Sequence, residues 1–198
     1  MEQLKNEKLT VEISSHGAEL QSIRNAEGRE YLWQGDEKYW PRRSPLLFPI
    51  VCGLWKDEYR VDGRTFNLPR HGFARDMDFE VVEKSDTSVT YTLESNAQTR
   101  EVYPYDFELD VTYILNDDNI NVIWSVKNTG KEEMHFQIGG HPAFNLPGVA
   151  EGDKMHGSIL FDNVEPLTRI IGNTGGCIKP ERYELKTDRQ VWNFDEES

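Results

Sequence analysis

The chain has 198 residues, of which 37% are hydrophobic and 11% aromatic, and it carries a formal net charge of −13 at pH 7. This apolar content suffices for a packed core and argues against a disordered chain. The acidity argues against nucleic acid and anionic membranes as partners, because both are negatively charged. No apolar run approaches the roughly 20 residues that span a bilayer, and the N-terminus lacks the apolar core of a signal peptide, so we expect a cytoplasmic location.

Alternation of apolar and polar residues predicts β-strands from the N-terminus onward. Residues 9–14 have the pattern of a half-buried strand, and residues 18–24 that of its antiparallel partner. Residues 61–65 contain an Asp-Gly pair typical of a hairpin turn, and residues 79–83 and 88–93 form a further predicted strand pair. In contrast, prolines at positions 41, 45 and 49 forbid a helix in the aromatic-rich stretch between them.

The clearest alternation covers residues 107–115 and, after an Asn-Asp turn, residues 120–126, and we expect the apolar side chains of both stretches to be core. Closely spaced strands with almost no helical periodicity predict an all-β fold, a large antiparallel β-sandwich. Beyond Pro147 the pattern weakens, with one short strand predicted at residues 158–161 and little pattern at residues 170–180. A sheet that ends in this way leaves an edge that needs covering, so we expect the fold to be incomplete at its C-terminus.

The two cysteines, Cys52 and Cys177, are too few for a disulfide framework. The sequence contains no Cys-x-x-Cys pair and no cluster of Cys and His with the spacing of a zinc site. We therefore expect free thiols and no metal.

Two histidines lie where strand-like sequence breaks off. His71 belongs to LPRHGFARD, residues 68–76, and His141 to GGHPAFNLP, residues 139–147. The unperturbed pKa of imidazole suits proton transfer near neutral pH, and two imidazoles on loops held by rigid strands are what a proton-shuttling enzyme needs. The alternative for each is a histidine that stabilises a turn by hydrogen bonding.

Arginines and aromatic residues near these motifs suggest a polar, sugar-like ligand. Guanidinium groups suit the oxygens of a hydroxylated or phosphorylated molecule, and sugar sites combine such groups with aromatic rings. The alternatives are ion pairs with Asp76 or Asp78 for the arginines, and ordinary core for most of the aromatics. The residues concerned are Arg42, Arg43, Arg70, Arg75, Tyr31, Trp33, Tyr39, Trp40, Phe48 and Trp55.

Together with RSPLLFP, residues 43–49, the two histidine motifs resemble the aldose 1-epimerase (galactose mutarotase) family, and within it a LacX-like branch. The resemblance covers about residues 11–147. It implies a galactose mutarotase-like supersandwich, a single domain over residues 1–198, that binds a monosaccharide on one face without a cofactor.

The resemblance also implies roles for individual residues. His141 would protonate the sugar ring oxygen, and His71 would hold or polarise the sugar. Arg43, or its neighbour Arg42, would hydrogen-bond a sugar hydroxyl. The remaining residues expected to bind the sugar are Arg70, Arg75, Phe73 and Asn145.

The sequence departs from the family pattern at the catalytic base. Family members are longer, and their base is a glutamate in a C-terminal Cys-x-Glu-Pro-like context. Here CIKP, residues 177–180, has Lys179 at that place, and we interpret the match as coincidental. We expect the base to be missing, because the sequence alone assigns that role to none of Glu181, Glu184, Glu196 and Glu197.

The expected function is interconversion of the α and β anomers of a hexose by acid–base catalysis, with this chain inactive or nearly so for lack of the base. Two alternatives stay open. One is a hexose-6-phosphate 1-epimerase, favoured by the arginines, and the other is a carbohydrate-binding or sensor protein without turnover. An uncovered sheet edge also predicts a tendency to form a homodimer.

Overall fold

The structure is a computed structural model, and it describes residues 1–146, 148, 157–162, 166–172, 178–187 and 190–194. The chain divides into two compact units, Met1–Asn145 and Leu146–Ser198. All the histidines, arginines and other side chains predicted to bind sugar belong to the first unit. The single domain expected over residues 1–198 stays a prediction.

The first unit is built from antiparallel strands. Besides them it contains the short helix α1 (Ala97–Val102) and 3-10 turns at Trp55–Asp57 and Ala74–Asp76. Its strands are β1 (Glu2–Lys5), β2 (Leu9–Ile13), β3 (Leu20–Asn25), β4 (Leu46–Leu47), β5 (Glu58–Val61), β6 (Arg64–Asn67), β7 (Glu80–Lys84), β8 (Ser88–Glu94), β9 (Phe107–Asn116), β10 (Asn119–Asn128) and β11 (Gly139–Gly140).

Two sheets form the body of this unit. One has the strand order β1-β2-β3 and the other β10-β9-β8-β7, while β5 pairs with β6 and β11 with β4. Inward-facing residues of β2, β8 and β9 join one hydrophobic core. Two tyrosine hydroxyls link the second sheet to the first, since Tyr91 donates to the carbonyl of Ile13 on β2 at 3.2 Å and Tyr113 to that of Ala18, in the loop between β2 and β3, at 2.7 Å. The all-β antiparallel prediction is therefore confirmed.

The second unit contains β12 (Gly157–Leu160), β13 (Thr168–Gly172), β14 (Ile178–Glu184) and β15 (Val191–Phe194). Strand β12 pairs antiparallel with β15, and β13 with β14. The short strand predicted at residues 158–161 corresponds to β12. The pair β13 and β14 lies where the sequence showed little pattern.

The predicted antiparallel strand pairs are confirmed. The Asp-Gly turn joins β5 to β6 with Val61 opposite Arg64, and β2 pairs antiparallel with β3. Helix α1 was missed because it is only six residues long and shows no periodicity. It begins with a capping box in which Asn96 accepts from the amide of Thr99 and the Thr99 side chain bonds the amide of Asn96.

The expectation that the apolar residues of 120–126 are core is wrong for part of β10. Val122 and Trp124 are 39% and 38% exposed, whereas Leu109 and Val111 on the neighbouring β9 are fully buried. The reason is that β10 is an edge strand of its sheet. Alternation identifies the apolar face of a strand, but a neighbouring layer is needed to bury that face.

Among the described residues, no helix has the length and apolar character needed to cross a membrane.

Candidate functional site

Residues 43–52, here called the central segment, anchor the first histidine loop through their carbonyl groups. The amide of His71 donates to the carbonyl of Cys52 at 2.8 Å, and the amide of Phe73 donates to the carbonyl of Phe48 at 3.0 Å. Phe48 is fully buried, so this loop is attached directly to the hydrophobic core.

The second histidine loop is attached to the same segment. The amide of His141 donates to the carbonyl of Pro45 at 3.1 Å, and that of Ala143 to the carbonyl of Arg43 at 2.9 Å. Strands β4 and β11 form the short ladder between them. Two motifs distant in sequence therefore meet because both use main-chain carbonyls of the central segment.

The attachment of the first histidine loop to Phe48 requires a glycine at position 72. Gly72 has φ +70°, and a Cβ there would lie 2.2 Å from the carbonyl oxygen of Phe48. A side chain would therefore be strained by the backbone conformation and would also collide with main-chain atoms. His71 shares the left-handed conformation, with φ +70°, so the loop turns sharply at its histidine.

The loops bring the two imidazoles together, with ring centroids 6.1 Å apart and planes at 63°. The His71 ring accepts a hydrogen bond at Nδ1 from the amide of Cys52, at 3.0 Å. Since a main-chain N–H can only donate, neutral His71 carries its proton on Nε2. That N–H is then available to donate to a ligand oxygen.

Burial and positive neighbours keep His71 neutral. The pKa of His71 is lowered from 6.5, first by burial and then by the charges of Arg75, His141, Arg70 and Arg42. Protonation would also cost the hydrogen bond from Cys52, because a protonated Nδ1 no longer accepts. His71 is therefore suited to hydrogen bonding rather than to supplying a proton.

His141 is held differently. Its side chain is exposed, and its ring lies 5.0 Å from the ring of Trp40, with the planes tilted by 45°. Within the described part of the chain, the ring contacts of this imidazole are with Trp40 and His71. The ring nitrogens of His141 are therefore accessible to a ligand.

Three of the predicted arginines surround His71. Arg42 binds Asp76 at 2.7 Å, and Arg75 donates to the carbonyl of Arg70 at 2.7 Å. Arg75 also lies 3.6 Å from Asp76, and burial together with the charge of Arg42 lowers the pKa of Arg75. One carboxylate thus serves two of three neighbouring guanidinium groups, which leaves positive charge beside His71.

Arg43 holds the central segment to strand β3 and its surroundings. Its guanidinium donates to the side chain of Gln21 at 2.5 Å and to the carbonyl of Gln34 at 3.1 Å. Its amide and that of Ser44 donate to the buried carboxylate of Glu19, at 2.9 and 2.8 Å. These contacts give Arg43 a structural role that differs from the expected ion pair with Asp76 or Asp78, and a sugar contact by Arg43 stays a prediction.

Phe73 and Asn145 also make contacts with the protein itself. The Phe73 ring packs against Phe48 and Phe107, with centroids 6.3 and 6.1 Å away. The Asn145 amide donates to the carbonyl of Leu32 at 3.0 Å. Both side chains help to position the loops, and their predicted contacts with sugar remain untested.

An apolar groove of about 400 Å³ lies beside the second histidine loop. Gly140 and Pro142, the sequence neighbours of His141, line the groove, whereas the ring of His141 does not. The groove is lined by Leu20, Ile23, Ser44, Pro45, Leu46, Tyr113, Ile120, Val122, Trp124, Gly140, Pro142 and Phe144.

The predicted absence of a base concerns residues of the second unit. Glu181 and Glu184 lie on β14 with exposed side chains, as does Lys179 of the CIKP stretch. Cys177, Glu196 and Glu197 lie outside the described residues. The described part of the chain contains no group of three or more His, Cys, Asp or Glu side chains arranged to hold a metal ion.

Sequence reasoning missed two features of the site. The amide of Cys52 sets the tautomer of His71, and no side-chain pattern reveals such a main-chain contact. Trp40 is one of the aromatic residues near the motifs, but its contact with His141 requires a fold in which residues 40 and 141 meet.

Comparison with known proteins gives a consistent result. Residues 2–160 match the aldose 1-epimerase family. The chain is 42% identical over 171 residues to the chromosomal LacX protein of Lactococcus lactis subsp. lactis, covering 82% of this chain and 56% of that protein, and it matches the plasmid LacX equally.

Two crystal structures resemble it closely. One is of a galactose mutarotase related enzyme from Lactobacillus acidophilus, with 36% identity and a TM-score of 0.87, covering 98% of this chain and 65% of that one. The other is of a galactose mutarotase-like protein from Lactobacillus casei, with 34% identity and a TM-score of 0.91, covering 98% and 67%. The chain thus spans just over half the length of its LacX relatives and about two thirds of these structures. It belongs to the aldose 1-epimerase family, in its LacX-like branch.

Proposed function

We propose that the protein interconverts the α and β anomers of a hexose. The observation that carries this proposal is the imidazole pair, 6.1 Å apart, in which one ring is held neutral and the other is exposed. Membership of the aldose 1-epimerase family supports the choice of an aldose as substrate.

In the proposed reaction, His141 gives a proton to the ring oxygen of the sugar while the hydroxyl at carbon 1 loses one. The bond between carbon 1 and the ring oxygen breaks and leaves an open-chain aldehyde. Rotation about the bond between carbons 1 and 2, followed by reclosure, forms either anomer. His71, through its Nε2–H, donates a hydrogen bond to a sugar oxygen and so fixes the sugar against the acid.

We further propose that the 198-residue chain catalyses this reaction little faster than buffer. Its first unit supplies the proposed acid, whereas no residue is assigned as the base that accepts the proton from the hydroxyl at carbon 1. A missing general base costs about 10²–10⁴-fold in rate. Water would then serve as the acceptor.

Polarimetry on freshly dissolved α-glucose and α-galactose tests both statements. The 198-residue chain and any longer form that its gene encodes should be measured side by side. Buffer-level rates for every form with several aldoses would remove the enzymatic proposal. Mutarotation by the 198-residue chain well above buffer would show instead that a residue such as Glu181 or Glu184 acts as the base.

A hexose 6-phosphate is the second candidate substrate, because positive charge is concentrated beside His71. Arg42, Arg70 and Arg75 lie together there with Asp76, in a protein whose net charge is −13. A phosphate group would bind such guanidinium groups through charge-assisted hydrogen bonds. NMR titration with glucose and glucose 6-phosphate separates the two candidates.

The matched variants for that titration are Arg70→Met and Arg64→Met. Both replace an exposed arginine, but only Arg70 is beside His71. Selective loss of glucose 6-phosphate binding in Arg70→Met would favour the phosphorylated substrate. Equal binding of both sugars by all variants would exclude it.

A sugar-binding protein without turnover is the alternative from another class, and the unassigned base favours it. Saturation-transfer NMR detects binding, and exchange spectroscopy on the same sample detects interconversion of the anomers. Binding with an exchange rate equal to buffer in every form of the protein would support this alternative.

A further inference from the structure

Trp40 makes the closest ring contact of His141. The two ring centroids are 5.0 Å apart, against 6.1 Å between His141 and His71. Within the described residues the imidazole of His141 has ring contacts rather than hydrogen bonds. Its side chain is exposed, so these ring contacts oppose free rotation of the imidazole.

Trp40 itself is held firmly at its main chain. Its amide donates to the carbonyl of Asp36 at 2.9 Å, and its carbonyl accepts from the indole N–H of Trp33 at 2.8 Å. The next residue is Pro41, whose ring fixes the φ angle there. The indole is therefore presented to His141 from a fixed backbone and not from a mobile loop.

The indole of Trp40 can attract His141 when the imidazole is protonated. An aromatic ring attracts a neighbouring cation, and Trp does so more strongly than Tyr or Phe. Contact with Trp40 thus favours one orientation of the His141 ring, and it does so most when that ring carries the proton it is to donate. Leucine is apolar but smaller than tryptophan, and it would lack this attraction.

We propose that Trp40 is a positioning residue for His141, orienting the imidazole so that its proton points towards the sugar ring oxygen. The proposal rests on the proposed role of His141 as the acid. It differs from direct stacking of Trp40 on the sugar, which would act on sugar binding.

The contact is tested by NMR on the 198-residue chain, without any need for activity. The side-chain protons of His141 should show a ring-current displacement that persists in Trp40→Phe and disappears in Trp40→Leu. Trp55→Leu is the matched control, because Trp55 is 63% exposed and its ring does not contact His141. Unchanged His141 shifts in a folded Trp40→Leu variant would overturn the proposal.

Kinetics then tests the consequence in a form of the protein that catalyses mutarotation. We expect Trp40→Leu to lower kcat about two- to tenfold with KM unchanged, and Trp40→Phe to recover part of the loss. A raised KM with unchanged kcat would overturn positioning in favour of sugar stacking. If His141→Ala leaves the rate unaltered, the proposed acid fails, whereas the NMR result still decides whether Trp40 orients the ring.

Discussion

The two histidine loops share one anchor but hold their imidazoles by opposite means. The first loop is packed on the core through Phe48, and His71 receives a hydrogen bond that fixes its tautomer. The second loop lies beside an open apolar groove, and the exposed His141 ring contacts the rings of Trp40 and His71. The same side chain is thus fixed by a hydrogen bond in one loop and left exposed without one in the other.

The largest expected effect is the loss of kcat when each histidine is substituted in turn, which tests the proposed roles of His141 and His71. In a form of the protein that catalyses mutarotation, His141→Ala should lower kcat by about 10²–10⁴-fold, because no neighbouring group replaces the proton donor. His71→Asn should cost less, since an amide retains a hydrogen-bond donor. Polarimetry on both variants checks this, and equal near-wild-type rates would contradict the division of roles.

Glycine substitutions test how differently the two loops are anchored. Gly72→Ala should destabilise the protein by about 2–6 kcal/mol, combining a strained left-handed φ with overpacking, at about 1–3 kcal/mol each. At Gly140 a Cβ would instead meet the Trp124 side chain at 3.2 Å, and its φ is not in the left-handed region. Trp124 is 38% exposed and can move, so Gly140→Ala should cost well under the loss at Gly72.

Gly63→Ala provides the control for backbone strain alone. Gly63 has φ +76°, and no atom lies within 4 Å of the position that a Cβ would take there, so this variant should lose only about 1–2 kcal/mol. Urea denaturation measures all three variants. Equal losses at positions 72 and 63 would show that the contact with Phe48 contributes nothing.

Strand β10, which contributes side chains to the groove beside the second loop, leads to a prediction about self-association. Strand β10 is a ten-residue edge without a register shift, whereas β7, the opposite edge, is shorter and has an irregularity between Val81 and Glu83. Bulges and charges protect an edge from pairing. Any homodimer should therefore form through β10.

Ile123→Lys, on β10, should weaken such a dimer about tenfold, as one buried charge costs more than about 1.4 kcal/mol. Val82→Lys on β7 is the control, because Ile123 and Val82 are similarly exposed, at 51% and 54%. Light scattering over a range of concentrations measures the effect. Equal weakening by both variants would place the dimer contact elsewhere.

The smallest expected effect concerns the charge state of His71. A lowered pKa means that the folded protein binds this proton more weakly than the unfolded chain, so the contribution to stability is present above about pH 6.5 and is lost as the pH falls through the folded pKa. NMR should place the His71 titration midpoint below 6.5.

Arg75→Met should raise the titration midpoint of His71, but by only part of the total lowering of its pKa. Burial is the largest cause of that lowering, and Arg75 is the largest of the charge contributions. Arg60→Met, on β5, removes a charge that does not act on His71 and serves as the control. A midpoint unaffected by Arg75→Met would show that the charge of Arg75 does not contribute to the lowered pKa of His71.

Sequence patterns predicted the hairpins well because an Asp-Gly turn or an alternating strand is specified locally. They failed at β10, whose alternation equals that of β9, since burial depends on what covers a face. The pairing of His71 with His141 was expected from the similar context of the two motifs and from the family resemblance. The tautomer of His71 was out of reach, because it depends on a main-chain amide at Cys52, which itself has φ +65°.

The central segment also determines how the site opens. The amides of His71 and Phe73 in one loop, and of His141 and Ala143 in the other, all donate to carbonyls of that one segment. If the central segment detaches from the two loops, both sets of amides are exposed at once. The hydrogen exchange of these amides should therefore share a single opening free energy. The two imidazoles would then lose their shared geometry in one cooperative event, and slow exchange of these four amides would report an intact site without any ligand.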